Sequence, residues 1–577
     1  MKLINRYKFA SLFMLVSVFI SCNALLDENP IGDKFNDEAI WKNPSLAEGV
    51  LLKVYGSLPG DYNLNDSYVS DEAVTNVVTS NLVSMATGGY TSRMNPLSVY
   101  SDSYVAFMQL NNFLANVNKV TWAWNNNVAG QDSAYIRSAM IAKRLKGEAY
   151  GLRAWYGARL LRNHGGMGKN DILLGYPIVT TIIKDVEQAK LPRNTYAECV
   201  QQIFNDCDSA ISNLPLKWSD KGLNDTQKGI IGAKNMNRIS GIGAMAIKSR
   251  VALLAASPAF SAGSGVTMTQ AAQLAANVMK AHIGITGLSG ADVEFYKSGN
   301  VTTTVLNSYR EALWFSSINS TASGRESNFF PPTVYGKGQV NPSQNLVEAF
   351  GFNNGQPFDI TSPTYDPLNP FNNRDPRLAK YIVIHNSKIG STTIDLTVGA
   401  NATGPTATRT GYYLRKLLDE TVSLNPSAVV GKPHSNIYLR YTEVLLNFAE
   451  AANQVGGPDY AVEGFTPRDV IKAIRVRAGF SPLLNNLYMS GIVGKDDMDR
   501  LIRNERRIEL CFEGFRFWDI LRWNDFAAMT TPVRGINPVT YTTFEVEKRT
   551  FEPYMIYPPI PYSETLIYNI VQNKGWE

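Results

Sequence analysis

Apolar side chains recur every three or four residues in several long segments of this chain. This is the spacing of amphipathic α-helices. One face of residues 145–160 carries Leu145, Ala149, Leu152, Tyr156 and Leu160, and Gly165-Gly166 follows as a stop. Similar patterns predict helices over residues 196–214, 244–256, 270–282, 439–454, 467–478 and 495–523. Alanines on the faces where these helices would touch favour helical hairpins that stack on one another.

The helical pattern fades in two regions, between Asn63 and Asp102 and between Leu288 and Pro433. Gly, Pro, Asn, Thr and aromatic residues dominate there. Long loops in a compact protein are usually functional or disordered, and the aromatic content argues against disorder. We therefore predict a helical scaffold over about 37–60, 104–283 and 435–530, with loop-rich regions over about 61–103 and 284–434. A ligand site is expected where the two loop-rich regions meet over the scaffold.

The amino terminus has the pattern of a bacterial lipoprotein signal. Lys2, Arg6 and Lys8 precede an apolar stretch over residues 9–20, and Ser21 precedes Cys22. This apolar stretch is too short to span a bilayer and is typical of a secretory signal. We predict a signal peptide over residues 1–21 and lipidation of Cys22, which would tether the protein to a membrane through its acyl chains.

Composition narrows the functional classes. Of the 577 residues 44% are apolar, enough for a large core. Removal of the three cations of the signal peptide lowers the formal net charge from +5 to +2. A near-neutral chain without a basic run argues against nucleic-acid binding. Cys199 and Cys207 would lie roughly 12 Å apart on one helix, too far for a disulfide.

The most informative stretch is residues 504–523, NERRIELCFEGFRFWDILRW. Glu505, Glu509 and Glu513 are spaced four apart, so a helix would place them on one stripe among arginines and aromatic residues. Arginines among so many aromatics are expected to pair with carboxylates, because a buried unpaired charge is costly. We interpret the three glutamates as an ion-pair network rather than as a catalytic or metal-binding set, and expect the helix to bend near Gly514.

This stretch resembles the signature helix of the SusD/RagB family, outer-membrane nutrient-binding lipoproteins of Bacteroidota. Five further segments resemble family motifs in the same order: NPSQNLVEAF (341–350), NRDPRL (373–378), GYYLRK (411–416), YLRYTEVLLNFAEA (438–451) and QNKGW (572–576). The resemblance covers nearly the whole chain.

The resemblance implies a mainly α fold, in which tetratricopeptide-like helical hairpins form a superhelical scaffold and long loop-rich insertions carry the binding face. It implies one SusD-like domain over residues 22–577. It also implies a non-catalytic lipoprotein at the cell surface, anchored in the outer membrane, that captures oligosaccharides and passes them to a SusC-like TonB-dependent transporter. Some family members bind peptides instead, so a RagB-like peptide receptor stays open.

No catalytic or metal-binding pattern stands out in the sequence. The four histidines, His164, His282, His385 and His434, are far apart, which disfavours a zinc site. No cofactor is expected. Carboxylates in the loop-rich regions, Asp71-Glu72 and Asp359, leave a glycoside hydrolase as one alternative. A repeat-type adaptor without a small ligand is another.

A glycan site needs aromatic faces for the sugar rings and planar polar groups for the hydroxyls. From the loop-rich regions we select Tyr90, Trp314, Phe330 and Tyr335 as candidate platforms. The candidate polar contacts are Asp71, Arg93, Arg374 and Tyr412. The nature of the glycan cannot be derived from these residues.

Overall fold

A computed structural model of the protein describes residues 37–62, 64–123, 134–169, 171–301, 310–568 and 570–577. The predicted signal peptide and Cys22 lie outside the described residues. The α-helices are α1 Asp37–Lys42, α2 Pro44–Gly56, α3 Asn65–Tyr68, α4 Asn81–Ser84, α5 Tyr100–Asn116, α6 Ala134–His164, α7 Val186–Ala189, α8 Tyr196–Asn213, α9 Asp225–Ile231, α10 Gly241–Ala256, α11 Ser261–Ser264, α12 Met268–Ala281, α13 Gly324–Phe329, α14 Gln344–Ala349, α15 Pro376–Tyr381, α16 Tyr441–Gly456, α17 Pro467–Ala478, α18 Pro482–Ser490, α19 Lys495–Glu509, α20 Arg516–Trp523, α21 Phe526–Thr530 and α22 Tyr562–Ile567.

The strands are short and pair two by two, always antiparallel. They are β1 Ala73–Thr75, β2 Gly166–Met167, β3 Leu173–Leu174, β4 Ala312–Phe315, β5 Asn319–Ala322, β6 Val340–Pro342, β7 Ile382–Val383, β8 Lys388–Ile389, β9 Thr392–Thr393, β10 Tyr413–Leu414, β11 Lys432–His434, β12 Ile437–Arg440, β13 Val533–Ile536 and β14 Thr543–Glu547. The pairs are β1–β6, β2–β3, β4–β12, β5–β11, β7–β10, β8–β9 and β13–β14.

The scaffold is a stack of helices in which each long helix packs against its neighbours. Helix α6 packs against α5 and α8, α8 against α10, α10 against α12, α12 against α16, and α16 against α17 and α19. Buried alanines at these contacts, including Ala255, Ala276 and Ala449, let the backbones approach closely. The predicted mainly α, tetratricopeptide-like fold is confirmed.

Local sequence signals set the helix ends well. Thr195 and Glu198 form a capping box at the start of α8, which satisfies two free N–H groups. Pro467 occupies the first turn of α17, and Thr466 caps it. The prediction at 439–454 began too early, because residues 437–440 form strand β12 and α16 starts only at Tyr441.

The loop-rich regions have a hydrophobic core of their own. Its members come from residues 64–97, 293–296, 330–418 and 508–556, and include Trp576. Strands β1 and β6 join the two regions directly, with Val74 opposite Asn341. These loops are therefore packed structure, and many of their aromatic side chains serve this second core.

Residues 495–523 form two helices rather than one bent helix. Helix α19 ends at Glu509, and α20 starts at Arg516. In between, Phe512 and Gly514 adopt left-handed backbone conformations, with φ of 62° and 77°. An α-helix cannot continue through such residues, so the prediction of a continuous helix is wrong here.

The glutamates of this stretch form the expected ion-pair network. Glu509 is fully buried and accepts hydrogen bonds from Arg377, Arg440 and Arg477. Burial alone would raise the pKa of Glu509, but the three guanidinium groups outweigh it and hold this pKa well below its usual range. The other bridges are Glu505 with Arg377 and Arg475, and Glu513 with Lys416 and Arg440. The network ties α15, β12, α17 and α19 together.

Candidate functional site

Asp71, selected as a polar contact, is part of the buried structure instead. It accepts hydrogen bonds from Arg507 at 2.7 Å and from Arg516 at 2.7 and 2.9 Å. Burial would raise the pKa of Asp71, but the two arginines hold it well below its usual range. A carboxylate held in this way has no free oxygen face for a sugar. Its neighbour Glu72 is also buried.

Three selected aromatic residues belong to the second core. Tyr90 packs edge-on against Trp576 with ring centroids 4.6 Å apart. Phe330 is buried, and the Tyr412 hydroxyl donates to Gln344 at 2.6 Å. We therefore reassign Tyr90, Phe330 and Tyr412 from ligand contacts to core residues, because their side chains are almost completely shielded from solvent.

Trp314 and Arg374 are also inside the protein. Trp314 is fully buried in the scaffold core, and its indole N–H donates to the carbonyl of Asn237 at 3.2 Å. Arg374 donates to the backbone carbonyls of Val347, Phe350, Gly351 and Pro370. Arg374 therefore shapes the loop around it and has no free donor edge for a ligand.

Two of the eight selected residues remain exposed. The guanidinium of Arg93 lies 4.1 Å from the ring centroid of Tyr562. Tyr335 is 56% exposed and sits in a left-handed turn with φ of 65°. Of the eight, Arg374 and Tyr412 lie near each other, and both are buried. The selected set therefore does not form one site.

Asp359, the other carboxylate considered for catalysis, is exposed in a loop. It accepts hydrogen bonds from the N–H and hydroxyl groups of Thr361, both at 2.8 Å. These bonds lower the pKa of Asp359, which is the opposite of what a general acid needs.

A cleft of about 300 Å³ lies between the first loop-rich region and the scaffold. We name it the loop–helix cleft. Its walls come from residues 59–62, Asp66, residues 96–102, one face of α6, strand β12 and residues 513–515. Only one of the two loop-rich regions lines this cleft, so a site where both regions meet stays a prediction.

Helix α6 supplies one wall of the cleft. Trp155, Arg159 and Arg162 follow one another at spacings of four and three residues, which places them on one helix face. Arg162 lies 4.3 Å from the ring centroid of Trp518 and, among the described residues, donates only to Asn163, at 3.0 Å. Arg159 makes no hydrogen bond or ion pair with any described residue. Burial lowers the pKa of both guanidinium groups, for Arg162 to about 10.

The opposite wall carries acidic groups. Burial raises the pKa of Asp66, while Arg162 and the indole N–H of Trp518, at 2.8 Å, partly offset this effect. Asp102 is exposed at the start of α5 and interacts electrostatically with Arg159. The remaining charges of the cleft are paired: Asp61 with Arg325, Arg250 with Glu443, and Arg440 with Glu513.

Partly exposed aromatic side chains complete the cleft. Tyr62, Tyr438 and Phe515 are all half-buried. Tyr438 packs on Trp314, with ring centroids 4.7 Å apart, and donates its hydroxyl to the carbonyl of Pro59 at 3.0 Å. The buried Trp314 thus supports the ring that reaches the surface.

A second cleft of about 890 Å³ adjoins the first. The two share Tyr438 as a wall, and residues 58–61 separate them. Its own polar groups include Arg144 and Arg238, both paired with Glu48 and Glu148.

Sequence reasoning missed the α6 residues because their spacing looks like that of any amphipathic helix. The available signal was charge: Arg159 and Arg162 have no acidic residue three or four positions away on their own helix. An arginine without such a partner on its own helix can pair with a carboxylate from another element, stay hydrated or bind a ligand.

Two family models match the chain. One described as "SusD family" matches residues 310–576, and one described as "Starch-binding associating with outer membrane" matches residues 26–230. The chain belongs to the SusD/RagB family. This SusD-like chain is 36% identical over 119 residues to SusD-like protein P38 of Formosa agariphila, a match that spans 22% of that protein's length.

Solved structures show the same SusD-like fold. A SusD-like protein from Bacteroides fragilis has a TM-score of 0.73 at 22% identity, over 95% of this chain and all of the other. A SusD-like carbohydrate-binding protein from the same species has a TM-score of 0.70 at 21% identity, over 92% of this chain and 99% of the other. A laminarin-binding SusD-like protein has a TM-score of 0.58 at 19% identity, over 92% and 100%. These structures, all below 25% identity to this chain, show a shared fold, and the family model described as starch-binding relates the family to carbohydrate.

The described residues contain neither a candidate membrane-spanning helix nor a candidate metal cluster. No helix there combines the length and the apolar character needed to cross a membrane. Within the same residues, no cluster of three or more His, Cys, Asp or Glu side chains is arranged to hold a metal ion. Cys199, Cys207 and Cys511 are all free and buried.

Proposed function

We propose that this SusD-like protein captures oligosaccharides in the loop–helix cleft without cleaving them. The observation that carries the proposal is a set of charged groups in the cleft, Arg159, Arg162, Asp66 and Asp102, none of which forms an ion pair within the described part of the chain, beside partly exposed aromatic rings. The carbohydrate-binding relatives support the same ligand class.

The cleft chemistry suits a neutral polyhydroxylated ligand. Guanidinium and carboxylate groups are planar and form strong charge-assisted hydrogen bonds with neighbouring hydroxyls. Aromatic faces such as Tyr438 offer apolar area to the C–H groups of a sugar ring. Two arginines face two aspartates, so the uncommitted charges balance, and neither a strongly anionic nor a strongly cationic ligand is favoured.

The expected affinity is moderate. Covering two or three aromatic faces contributes about 4–8 kcal/mol if the polar terms roughly cancel their desolvation. This corresponds to a Kd between about millimolar and micromolar. Such an affinity suits a receptor that must release its cargo.

The proposal extends to location and partner. We propose that Cys22 is lipidated, that the protein faces the exterior from the outer membrane, and that it delivers its ligand to a SusC-like TonB-dependent transporter. The lipoprotein signal of the sequence supports the anchor, and the family model that refers to outer-membrane association supports the location.

Calorimetry of the purified protein against a panel of glycans and peptides tests the ligand class. Wild type is expected to bind at least one glycan, and Arg159→Ala and Asp102→Ala should each weaken that binding at least tenfold. Both side chains are partly or fully exposed, so the variants should fold normally. Lys190→Ala, which removes a cation from an exposed pair outside the cleft, is the matched control.

Binding to peptides with no binding to any glycan would contradict the proposal and favour a RagB-like peptide receptor. The absence of catalysis is tested separately, by incubating the bound glycan with the protein and measuring new reducing ends. Glycan cleavage that Asp71→Ala or Asp359→Ala abolishes would identify a hydrolase instead.

A further inference from the structure

A separate cavity of about 460 Å³ lies between residues 351–358 and helices α18 and α19. We name it the α18 cavity. It shares no lining residue with the loop–helix cleft or with the cleft that adjoins it. Its volume is within the range of about 300–1,000 Å³ that small-molecule sites occupy.

Aromatic and aliphatic side chains form one side of this cavity. Phe358 and Tyr488 are half-buried, so part of each ring faces the opening. Arg374 lies 4.1 Å from the ring centroid of Phe358, and Arg475 lies 5.0 Å from that of Tyr488. Two aromatic rings therefore border one cavity, and a guanidinium group stacks on each of them.

The backbone at Gly355 passes close to Arg475 and Tyr488 of this wall. Gly355 has φ of 97°, and its carbonyl accepts from Arg475 at 3.0 Å. A Cβ at this position would lie 2.8 Å from the Arg475 guanidinium and 2.9 Å from Tyr488. Only glycine lets residues 351–358 approach Arg475 and Tyr488 so closely, and Gly355 itself lines the cavity.

Hydrogen-bonding groups without protein partners line the cavity. The Tyr488 hydroxyl and the Gln356 side-chain amide make no hydrogen bond within the described part of the chain. Asn504 donates through its amide nitrogen to the carbonyl of Ala349 at 2.9 Å, while its oxygen accepts nothing from described residues. Donors and acceptors thus accompany the apolar rings, as in ligand sites.

The charged groups of the cavity are already paired. Arg475 bridges to Glu505 at 3.0 Å, and Arg500 bridges to Asp497 on the same helix. Glu348 pairs with Arg534, and Asp375 with Arg377. No charge is left to attract an ionic ligand, so the cavity favours a neutral one with hydroxyl groups and a flat apolar face.

We propose that the α18 cavity is a second binding site for a neutral sugar segment, independent of the loop–helix cleft. Tyr488 and Phe358 would contact the sugar rings, and Gln356, Asn504 and the Tyr488 hydroxyl would bind the sugar hydroxyls. A polysaccharide that reaches both sites would bind with an avidity that neither site provides alone.

The neighbouring surface suggests a rival occupant. Leu483 and Leu487 of α18 are 76% and 68% exposed, and an apolar partner could cover them. The uncommitted hydroxyl and amides inside the cavity favour a sugar, because an apolar partner would leave them unsatisfied. Leu487→Ala is therefore the matched control on the same helix, one residue from Tyr488.

The test is calorimetry of the full protein with laminarihexaose, maltohexaose and xylohexaose, together with affinity electrophoresis in the matching polysaccharides. Wild type should bind about two equivalents of the preferred hexasaccharide. Tyr488→Ala and Arg159→Ala should each reduce this to one, and the double variant to none. Tyr488→Ala should weaken retention by the polysaccharide at least tenfold, whereas Leu487→Ala should leave it unchanged.

Gln356→Ala is the safeguard against misfolding, because this exposed loop side chain supports nothing else; it should weaken the second equivalent. One equivalent in wild type, abolished by Arg159→Ala and unaffected by Tyr488→Ala, would overturn the second site and leave the proposed function standing. Loss of retention in Leu487→Ala but not in Tyr488→Ala would also overturn it. No binding of any probe would count against both proposals.

Discussion

At the scale of single residues, the molecule uses charge in two distinct ways. Around Glu509 every buried charge has a partner, and the arginines come from α15, β12 and α17. In the loop–helix cleft, Arg159 has no such partner. A fully paired charge contributes to the fold, whereas an unpaired one beside an aromatic wall is available to a ligand.

The sequence allowed the first of these uses to be predicted, but not the second. Glutamates spaced by four residues among arginines indicated a buried network. That Asp71 belongs with Arg507 could not be seen, because 436 residues separate them. The same limit affected the aromatic residues: Tyr90 and Tyr412 have the composition of a binding loop, and only their long-range packing shows that they are core.

Glu509→Gln should lower the free energy of unfolding by about 3–5 kcal/mol, because it leaves buried guanidinium groups without their counter-charge. Urea denaturation measures this loss. Glu187→Gln, which removes an exposed carboxylate paired with Lys190, should change stability by no more than about 1 kcal/mol. Glycan binding by folded Glu509→Gln should persist. Loss of binding without unfolding would show that the ligand site lies near Glu509 and not in the loop–helix cleft.

Glu72 predicts a pH dependence of stability. Burial raises its pKa from 4.5 to about 7, partly offset by a hydrogen bond from Ser67 at 2.6 Å. Because the folded pKa is the higher one, its stabilising contribution is complete below pH 4.5 and is lost as the pH rises through 7. The contribution is about 3 kcal/mol.

Glu72→Gln should therefore remove this decline between about pH 5 and 7.5. The measurement is urea denaturation at several pH values, with wild type in parallel. Glu450, whose pKa burial would raise but Arg522 and its neighbours lower to about 2, affects stability only at more acidic pH. An unchanged slope in Glu72→Gln would show that another group titrates in this window.

At the scale of elements, periodicity located the long helices, and backbone conformation decided where they end. The helices predicted at 196–214 and 467–478 match α8 and α17 closely, since local caps define both. The bend expected near Gly514 marks the right place, but the complete break between α19 and α20 was not predicted, because apolar residues continue through it at helical spacing. The helix breaks because Phe512 and Gly514 adopt left-handed backbone conformations. The spacing of apolar residues does not predict such conformations.

Gly514→Ala should destabilise the protein by about 1–2 kcal/mol, the cost of a left-handed conformation for a residue with a Cβ. Thermal or urea denaturation will show the effect. Gly49→Ala provides a control of the opposite sign: it lies within α2, with open space around an added Cβ. There alanine should stabilise by up to about 1 kcal/mol. Equal effects at the two positions would contradict the conformational explanation.

At the scale of the whole molecule, a helical stack carries a second, loop-built core, and the clefts lie along its margins. The fold class was predictable because it depends on many helices, so that errors at single boundaries matter little. The site was less predictable because a few side chains from distant segments build it. Residues 59–62, α6 and β12 meet only in the folded chain.

Cys22→Ser tests how the whole molecule is held in the cell. Without the thiol no acyl chain can be attached, so the protein should move from the membrane fraction to the soluble or secreted fraction. Cell fractionation with immunoblotting measures the change. Ser21→Ala, which keeps a small residue before the cysteine, should stay with the membrane. Equal retention of both variants would contradict lipid anchoring.

The contact between Asp71 and Arg507 also constrains how the chain is made. Asp71 lies early and Arg507 late, so in a chain that emerges from the ribosome or the export machinery the carboxylate of Asp71 stays without this partner until the last eighth of the chain has emerged. Closing such a long loop is slow and leaves partly buried surface open meanwhile. Truncation before residue 507 should therefore yield no stable amino-terminal half, and during export the nascent chain would depend on chaperones until synthesis is complete.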